Sequence, residues 1–447
     1  MIELKPNLNK ISPFYNCPNC KGKIVVEEFC IPGKMNLVKL ECKSCYGEFM
    51  ADLPTSFGVG YQTFIDEKKL EIAKTENARH AKEYLKAYIN RNNEKIRIDH
   101  KIIENKENII LVNCLDSCYA HSLFKLLNSA RYIRKFGRDF GICLMIPYQL
   151  QHLIPEGVSE ILEFYLPFNR YKEWFNVIDE KIHKIVKRKS GCYLALSQAS
   201  YNPESYDLSK FTLLNKKEPQ DNKNYKLIVF LYREDQRIWG ETHWHQKRNI
   251  EKLFKYLKKY YKNLRFVLIG LGKNKKFQKE IIDLREEKFD LSLEKKWIEE
   301  YKKADCLLGV HGSNMNLPSL LAKNMISLIP EYKYQHVFED IRLNPNISCS
   351  ENLYRYRILY GNYSLSDISP QKLFKVLVHQ LELSDRNKFL ANLNLEPKIN
   401  NIEEWKKRRE MFKSFPKDLK LEKYSFVGQL FKNFPFLKSL VKKIRKS

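Results

Sequence analysis

The sequence predicts an α/β protein with two Rossmann-like domains, an N-terminal zinc ribbon and a C-terminal basic amphipathic tail. Short apolar runs without alternation, typical of buried parallel strands, recur along the chain and alternate with amphipathic helical patterns. A polar segment near the middle of the chain separates two series of these units, and two Cys-x-x-Cys pairs precede both series. The length of 447 residues also exceeds that of one ordinary domain.

The two cysteine pairs, Cys17-Pro18-Asn19-Cys20 and Cys42-Lys43-Ser44-Cys45, predict a zinc ribbon over residues 1–60. Each pair offers two thiolates to one tetrahedral ion, and the strand-like runs between the pairs suit a ribbon hairpin. Four thiolate ligands close the site, so the metal is expected to be structural. A redox pair is disfavoured because no βαβ pattern surrounds either motif, and coincidental structural cysteines remain the other alternative.

Residues 61–104 are expected to form a connecting helical segment. Their charged pattern carries an imperfect apolar stripe at helical spacing, which consists of Leu70, Ile72, Ala73, Ala81, Tyr84, Leu85 and Tyr88.

Residues 105–222 are expected to form the first Rossmann-like domain. Strands are predicted at 109–112, 140–147, 161–166 and 192–196, and a helix is predicted at 123–133. Asp116 and His121 lie between the first strand and this helix, at a position where such folds place ligands.

The polar residues 215–224 are the predicted linker, and residues 223–395 are expected to form the second Rossmann-like domain. Its predicted strands are 227–231, 265–269, 306–310 and 325–330, with helices at 245–262 and 293–303. After the third of these strands, a turn at 311–314 is expected to lead into a helix.

That turn is the predicted phosphate-binding element. The N–H groups of Gly312, Ser313 and Asn314 at a helix start can cradle a diphosphate, and Gly312 permits close approach of the backbone. His311 stands beside them as a donor, although a capping or core histidine is the alternative. Arg233 and Arg237 follow the strand at 227–231 and offer paired donors to phosphate, unless they only pair with their acidic neighbours on the surface.

A family resemblance adds to this interpretation. Gly309-Val310-His311-Gly312-Ser313-Asn314-Met315-Asn316-Leu317 resembles a segment of the family 61 glycosyltransferases and related capsule or lipopolysaccharide enzymes. Two further segments resemble that family in the same order, Tyr119-Ala120-His121-Ser122-Leu123-Phe124-Lys125-Leu126 and the arginines Arg233 and Arg237. Together the three segments cover roughly residues 105–335.

The resemblance implies a GT-B fold with an acceptor domain at 105–222 and a nucleotide-sugar donor domain at 223–395. It implies sugar transfer to a glycan or lipid-linked acceptor in cell-surface polysaccharide biosynthesis, with inversion and without an active-site metal. Glu331 takes the ribose-binding position. His121 becomes the candidate base for the acceptor hydroxyl, and Asp116 either orients the ring of His121 or acts as the base itself. An ordinary helix cap is the alternative for Asp116.

Residues 396–447 are expected to form C-terminal helices and a basic tail. From residue 424 onward apolar side chains are interspersed with Lys432, Lys438, Lys442, Lys443, Arg445 and Lys446, and no acidic residue occurs. Such a segment either lies on a membrane surface, which suits a lipid-linked acceptor, or packs back onto the protein.

The formal net charge of +26 keeps a second class of function open. A zinc-ribbon protein that binds nucleic acid or modifies RNA is the alternative to a glycosyltransferase, and a catalytically inert scaffold of the same fold is a third possibility. The apolar runs are too short to span a bilayer, and no secretory signal pattern is evident. The expected location is therefore cytoplasmic, with possible peripheral contact at the inner face of the membrane.

Overall fold

The computed structural model describes residues 1–55, 62–196, 206–215, 224–235, 237–273, 275–339, 352 and 354–392. The chain divides into two compact units, the first comprising Met1–Lys217 with Asp290–Lys295 and the second Glu218–Phe289 with Lys296–Ser447. The division after Lys217 lies within the polar segment expected to be a linker. Most of that segment and all of the basic tail lie outside the described residues.

The first unit contains eleven strands and four helices among its described residues. The strands are β1 (Ile2–Lys5), β2 (Ile24–Cys30), β3 (Leu37–Cys42), β4 (Glu48–Asp52), β5 (Thr63–Asp66), β6 (Glu71–Thr75), β7 (Ile98–Ile102), β8 (Asn108–Asn113), β9 (Gly141–Pro147), β10 (Glu160–Phe164) and β11 (Gly191–Leu194). The helices are α1 (Ala78–Ile89), α2 (Tyr119–Phe136), α3 (Asn176–Arg188) and α4 (Thr212–Asn215).

One sheet of this unit has the order β1-β11-β8-β9-β10-β7, with four parallel strands between two antiparallel edge strands. From β8 the chain passes through α2 to β9 and on to β10, and it then returns through α3 to β11 on the other side of β8. The strand order therefore reverses at β8. In parallel α/β sheets, ligands bind at the carboxyl ends of the strands where this reversal occurs.

The ribbon is a second, antiparallel sheet of five strands in the order β2-β3-β4-β5-β6. The helix expected from residue 61 is wrong for its first part, because residues 63–66 and 71–75 form β5 and β6. The helix begins only at α1, where the Asn77 side chain accepts a hydrogen bond from His80 N–H at 3.1 Å. The charged residues of β6 are exposed or half-buried because this strand is the sheet edge, which made its pattern resemble a solvated helix face.

The ribbon shares its hydrophobic core with the parallel sheet. Phe49 and Phe64 of the ribbon belong to the same cluster of buried side chains as Leu111, Phe164 and Leu194 of the parallel sheet. A second link is polar, since the buried Asn113 at the end of β8 donates to Gly33 O at 2.9 Å and to Asn36 Oδ1 at 2.8 Å. The ribbon is therefore an integral layer of the first unit.

Among its described residues, the second unit contains six strands, three α-helices and the larger part of a fourth α-helix, Leu291–Lys303, whose first residues belong to the first unit. The strands are β12 (Lys226–Tyr232), β13 (Leu264–Gly270), β14 (Ile282–Asp283), β15 (Cys306–Val310), β16 (Met325–Pro330) and β17 (Tyr356–Gly361). The helices are α5 (His243–Tyr260), α6 (Leu291–Lys303), α7 (Asn316–Leu321) and α8 (Pro370–Asn392).

The sheet of the second unit is parallel throughout, in the order β14-β13-β12-β15-β16-β17. The chain moves from β12 through α5 to β13 on one side and later returns to β15 on the other side. Its strand order thus reverses between β12 and β15, so the residues that follow these two strands occupy the favoured ligand position. Side chains of α5 and α8 pack with those of the sheet in one hydrophobic core. Those that are fully or almost fully buried there include Leu253, Phe254, Leu373 and Leu377.

Within the described residues, we find no helix that combines the length and the apolar character needed to cross a membrane.

Candidate functional site

The turn after β15 lies at the strand reversal of the second unit. Gly312 has φ +153°, a conformation that side-chain-bearing residues rarely adopt. A Cβ atom added at this position would lie 1.8 Å from Nη1 of Arg233 and 3.2 Å from Nη1 of Arg237. Glycine is therefore required for two reasons, the backbone angle and the space taken by two guanidinium groups. Three of the residues predicted to bind the donor, Arg233, Arg237 and Gly312, therefore lie together in the structure, and their contact with phosphate stays a prediction.

Arg233 makes hydrogen bonds that hold the turn in place. Its Nη1 donates to His311 O at 2.9 Å and to Asn314 Oδ1 at 3.2 Å. Its Nε donates to Asp235 Oδ1 at 2.8 Å, and its Nη2 donates to Asp235 Oδ2. A guanidinium has five N–H donors, and these four bonds use most of them. Arg233 thus forms the ion pair with its acidic neighbour and also contacts the turn, while its binding of phosphate stays a prediction.

The loop that carries the arginines is anchored by a residue that sequence reasoning missed. Gln246, fully buried in the first turn of α5, donates to Arg233 O at 2.7 Å and accepts from Trp239 N–H at 3.1 Å. Trp239 is also buried and donates from its indole to Ile368 O at 2.8 Å. The ends of the loop from Arg233 to Trp239 are therefore fixed to the helix behind it.

Among the other predicted donor-binding residues, His311 is buried, with 2% of its surface exposed. Its N–H donates to Leu328 O at 2.9 Å, which continues the β15–β16 pairing by one residue. Its ring centroid lies 6.3 Å from that of His336. This burial is what the alternative of a core histidine predicts, and donor binding by His311 stays a prediction.

Ser313 and Asn314 are half-buried in a turn of 3-10 helix that covers Ser313–Met315. The helix expected after the turn is present, but α7 starts only at Asn316, after the 3-10 turn, and is short, with six residues. The physical reason is Pro318 near its start and the extended conformation of Ala322 at its end, after which the chain enters β16. The positive charge at this site comes from the two guanidinium groups more than from a helix dipole.

Glu331 is exposed at the carboxyl end of β16 and begins a 3-10 helix, Glu331–Glu339. It therefore lies on the same edge of the sheet as the turn after β15. The described contacts do not test the ribose-binding role that the family resemblance implies.

The predicted residues of the first unit lie at its own strand reversal, after β8. Asp116, with 2% of its surface exposed, forms a 2.9 Å ion pair with the buried Lys125 of α2 and lies 3.3 Å from Nδ1 of His121. Its Oδ1 also accepts from Cys118 N–H at 3.3 Å. Lys125 in turn donates to Leu115 O at 2.9 Å. Asp116 does not cap α2 with its side chain, since Cys118 is the N-cap residue.

This network separates the roles of Asp116 and His121. Burial on its own would raise the pKa of the Asp116 carboxyl, but Lys125 and His121 outweigh burial and hold that pKa well below its ordinary value. A carboxylate so strongly stabilised in its charged form is a poor proton acceptor. The side chain of His121 is 43% exposed, and Asp116 faces its Nδ1. Asp116 thus contacts the ring of His121 through Nδ1 and not through Nε2.

Lys125 is the second residue that sequence reasoning missed. It interrupts an apolar run, Leu123-Phe124-Lys125-Leu126-Leu127, and it stands one helical turn after His121. A charged residue on the buried face of a helix signals a buried partner.

The four cysteines predicted to bind metal form one cluster, in which all four sulfur atoms lie within 4.8 Å of one another. The Cys17–Cys45 and Cys20–Cys42 sulfur atoms are each 3.5 Å apart. Tetrahedral zinc with Zn–S bonds of about 2.3 Å separates its sulfur ligands by roughly 3.8 Å, so the cluster fits one ion. The N–H groups of Gly22 and Ser44 each point to a sulfur at 3.4 Å. These four residues can therefore hold a structural zinc ion.

The fold is that of a two-unit α/β protein whose units each contain a Rossmann-like sheet with parallel strands. No family model matches the chain, and no curated protein matches it. The structure is distantly similar to GT-B glycosyltransferases. It aligns with the E. coli ADP-heptose LPS heptosyltransferase II at 14% identity and a TM-score of 0.34, over 62% of this chain and 99% of the other. It also aligns with the wall teichoic acid polymerase TagF at 10% identity and a TM-score of 0.27, over 65% and 89% of the two chains.

Proposed function

We propose that this protein is a glycosyltransferase that transfers a sugar from a nucleotide-sugar donor to a glycan or lipid-linked acceptor in the biosynthesis of a cell-surface polysaccharide. The observation that carries the proposal is the convergence of Arg233 and Arg237 on the Gly312 turn at the strand reversal of the second unit. Two guanidinium groups beside a side-chain-free turn suit a diphosphate, whose negative charge increases as it departs. The residue pattern shared with family 61 glycosyltransferases supports the same assignment.

The contacts suggest a division of labour between the two arginines. Arg233 uses four hydrogen bonds to position the turn and to pair with Asp235, so we assign it mainly a positioning role. Arg237 is assigned direct contact with the diphosphate. The N–H groups of Gly312, Ser313 and Asn314 and the hydroxyl of Ser313 would complete the phosphate contacts, with His311 behind the turn and Glu331 assigned to the ribose.

For the acceptor, we assign the general base to Nε2 of His121, with Asp116 as the residue that orients the ring. A histidine whose Nδ1 faces a permanently charged carboxylate is held in one tautomer, with Nε2 ready to accept the hydroxyl proton. Transfer with inversion needs one such base, and the assignment requires no metal at the reacting atoms. The zinc ion proposed for the four cysteines is structural, because four thiolates leave no open coordination position.

A thermal-shift titration with UDP, GDP, CMP and ADP sugars tests donor binding. A ligand at one hundred times its dissociation constant stabilises the native state by about 2.7 kcal/mol, so one of these donors is expected to raise the melting temperature by several degrees. The R237A variant is expected to lose this shift. The R248A variant, which removes an exposed arginine of α5, is the matched control and is expected to keep it.

Three outcomes would contradict parts of the proposal. If no donor shifts the protein while RNA does so with strong salt dependence, the nucleic-acid-binding alternative replaces the transferase. If a donor binds but neither hydrolysis nor transfer follows with candidate acceptors, the inert scaffold replaces it. If R237A binds and turns over donor like R248A, the diphosphate site is assigned to the wrong residues.

A further inference from the structure

Two exposed tyrosines form a ring pair at the carboxyl ends of the strands of the second unit's sheet, which is also the end at which the Gly312 turn lies. The ring centroids of Tyr332 and Tyr363 are 4.6 Å apart with an interplanar angle of 31°. Their exposed fractions are 41% and 69%. Exposed aromatic pairs are unusual in a protein surface because the rings remain in contact with water, and tyrosine in such a position is frequent at binding sites.

The sheet register explains why these two rings meet. Strands β16 and β17 are parallel neighbours, and Pro330 pairs with Gly361 at their carboxyl ends. Tyr332 and Tyr363 each follow one of these paired residues by two positions. The two rings therefore meet because the register of β16 and β17 brings the residues after both strands side by side.

The loop that carries Tyr363 is held in place on both sides. Asn362 N–H donates to Asp367 Oδ1 at 2.9 Å, and Asn362 Oδ1 accepts from Ser366 N–H at 3.0 Å. Ser364 O accepts from Gly240 N–H at 2.8 Å, which ties this loop to the segment that follows Arg237. A loop with these bonds presents the ring of Tyr363 in a defined position, as a binding surface requires.

The ring pair lies near the positive charge of the phosphate site. Burial raises the pKa of the Tyr332 phenol, and the guanidinium groups of Arg237 and Arg233 act against that rise, so both arginines lie within electrostatic range of this phenol. Lys333 adds a third cation, with Nζ 5.9 Å from the centroid of the Tyr332 ring. Flat aromatic faces beside cations are suited to a ligand with a planar ring at one end and phosphate at the other.

We propose that Tyr332 and Tyr363 are the stacking surface for the nucleobase of the donor. The inference rests on the proposed function, because it takes the phosphate site at Gly312 as the place where the same nucleotide is held. Stacking on aromatic side chains tolerates different bases, because each base has a planar π face. The ring pair thus contributes affinity for the nucleoside part of the donor, while discrimination between bases falls to other contacts.

The test compares ligands with and without a base. Binding of a nucleoside diphosphate, chosen from UDP, GDP, CDP and ADP as the tightest for the native chain, and of inorganic pyrophosphate is measured by isothermal titration calorimetry. The Y363L and Y332L variants are expected to bind the nucleoside diphosphate about 5- to 100-fold more weakly, the range that base stacking implies. Their affinity for pyrophosphate is expected to stay unchanged. Y363F keeps the ring and is expected to bind like the native chain.

A matched control is Y354L. Tyr354 is also exposed, at 50%, but it precedes β17 and so lies at the amino end of that strand, away from the ring pair at its carboxyl end. Equal weakening by Y354L and Y363L overturns the inference, as does equal weakening for nucleoside diphosphate and pyrophosphate. If Y363L lowers only the affinity for a glycan acceptor, the rings bind sugar and the inference is wrong. If the native chain binds neither nucleoside diphosphates nor pyrophosphate, the proposed function itself fails, a result distinct from a selective failure of the tyrosine variants.

Discussion

At the scale of single residues, the buried ion pair of Asp116 and Lys125 decides what the first unit can do at its strand reversal. Both side chains are almost fully buried and 2.9 Å apart. The pair fixes the charge of Asp116 and, through it, the orientation of His121. The lowered pKa of the Asp116 carboxyl is the reason why we propose His121, and not Asp116, as the base.

Removal of one member of this pair is expected to be costly. In D116N the charge of Lys125 stays buried without an anion, and breaking a buried pair destabilises a protein by about 3–5 kcal/mol. The control D99N removes a carboxylate that pairs with Arg97 on the surface, and it is expected to cost less than about 1 kcal/mol. Urea denaturation at pH 7 measures both, and the double variant D116N/K125M is expected to recover part of the loss.

The same pair contributes to the pH dependence of stability. Because the folded-state pKa of Asp116 is lowered, its contribution is complete above the unfolded-state pKa of about 3.9. It is lost as the pH falls below that value toward the folded-state pKa. The native chain should therefore lose more free energy of unfolding on acidification than D116N. Identical acid dependence of the two proteins, or equal destabilisation by D116N and D99N, would show that the pair has no such effect.

Sequence reasoning found Asp116 and His121 because they follow a predicted strand, but it left their roles open. The role of Asp116 depends on Lys125, and a lysine in a helix looks like a solvent-facing residue until its burial is known. The same holds for Gln246, because its two hydrogen bonds to the loop from Arg233 to Trp239 leave no mark in the sequence pattern.

At the scale of elements, the parallel strands were predictable and the edge strands were not. Strands β8, β9, β12, β13, β15 and β16 are apolar runs with buried residues on both faces, and such runs were recognised. Edge strands have one open side, so they carry polar residues, as in Ile98-Asp99-His100-Lys101-Ile102 of β7. No local pattern separates such a strand from a loop.

The Gly312 turn gives a prediction at this scale. In G312A the new methyl group would occupy the place of the Arg233 guanidinium, and the backbone angle would become strained at a cost of about 1–3 kcal/mol. We expect the variant to lose the donor-induced thermal shift, because the turn and both arginines must move. G157A is the matched control, since Gly157 has φ +92° and lies in the first unit. G157A should lose stability because its backbone angle is also strained, but it should keep the donor-induced thermal shift. Loss of the thermal shift in both variants would mean that general unfolding is the cause.

At the scale of the whole molecule, the ribbon and the parallel sheet of the first unit act as one body because they share a core. The cysteine spacing predicted from sequence alone the four-thiol cluster that can hold a metal ion, because each Cys-x-x-Cys pair is a local pattern. The attachment of the ribbon to the sheet could not be predicted, because it depends on apolar side chains from Phe49 to Leu194 that meet only in the folded chain.

The shared core predicts a wide effect of metal removal. The chain as purified should contain one zinc ion per molecule, and chelation should increase hydrogen exchange in β8 and β9 as well as in the ribbon strands. Strands β12 and β13 should be unaffected. The C20S/C45S variant should lose the metal, whereas C30S, which changes a buried cysteine outside the cluster, should retain it. Exchange that increases only in β2, β3 and β4 would mean that the ribbon unfolds on its own.

The pairing of β1 with β11 has a consequence for how the chain folds during synthesis. Ile2 pairs with Leu194, so the first strand waits until almost the whole first unit has left the ribosome before it finds its neighbour. Until then β1 has no strand to pair with in this sheet. Contacts between residues so far apart in sequence close slowly. The outermost strand is therefore expected to be the last part of this sheet to form, after the ribbon and the strands around β8 are in place.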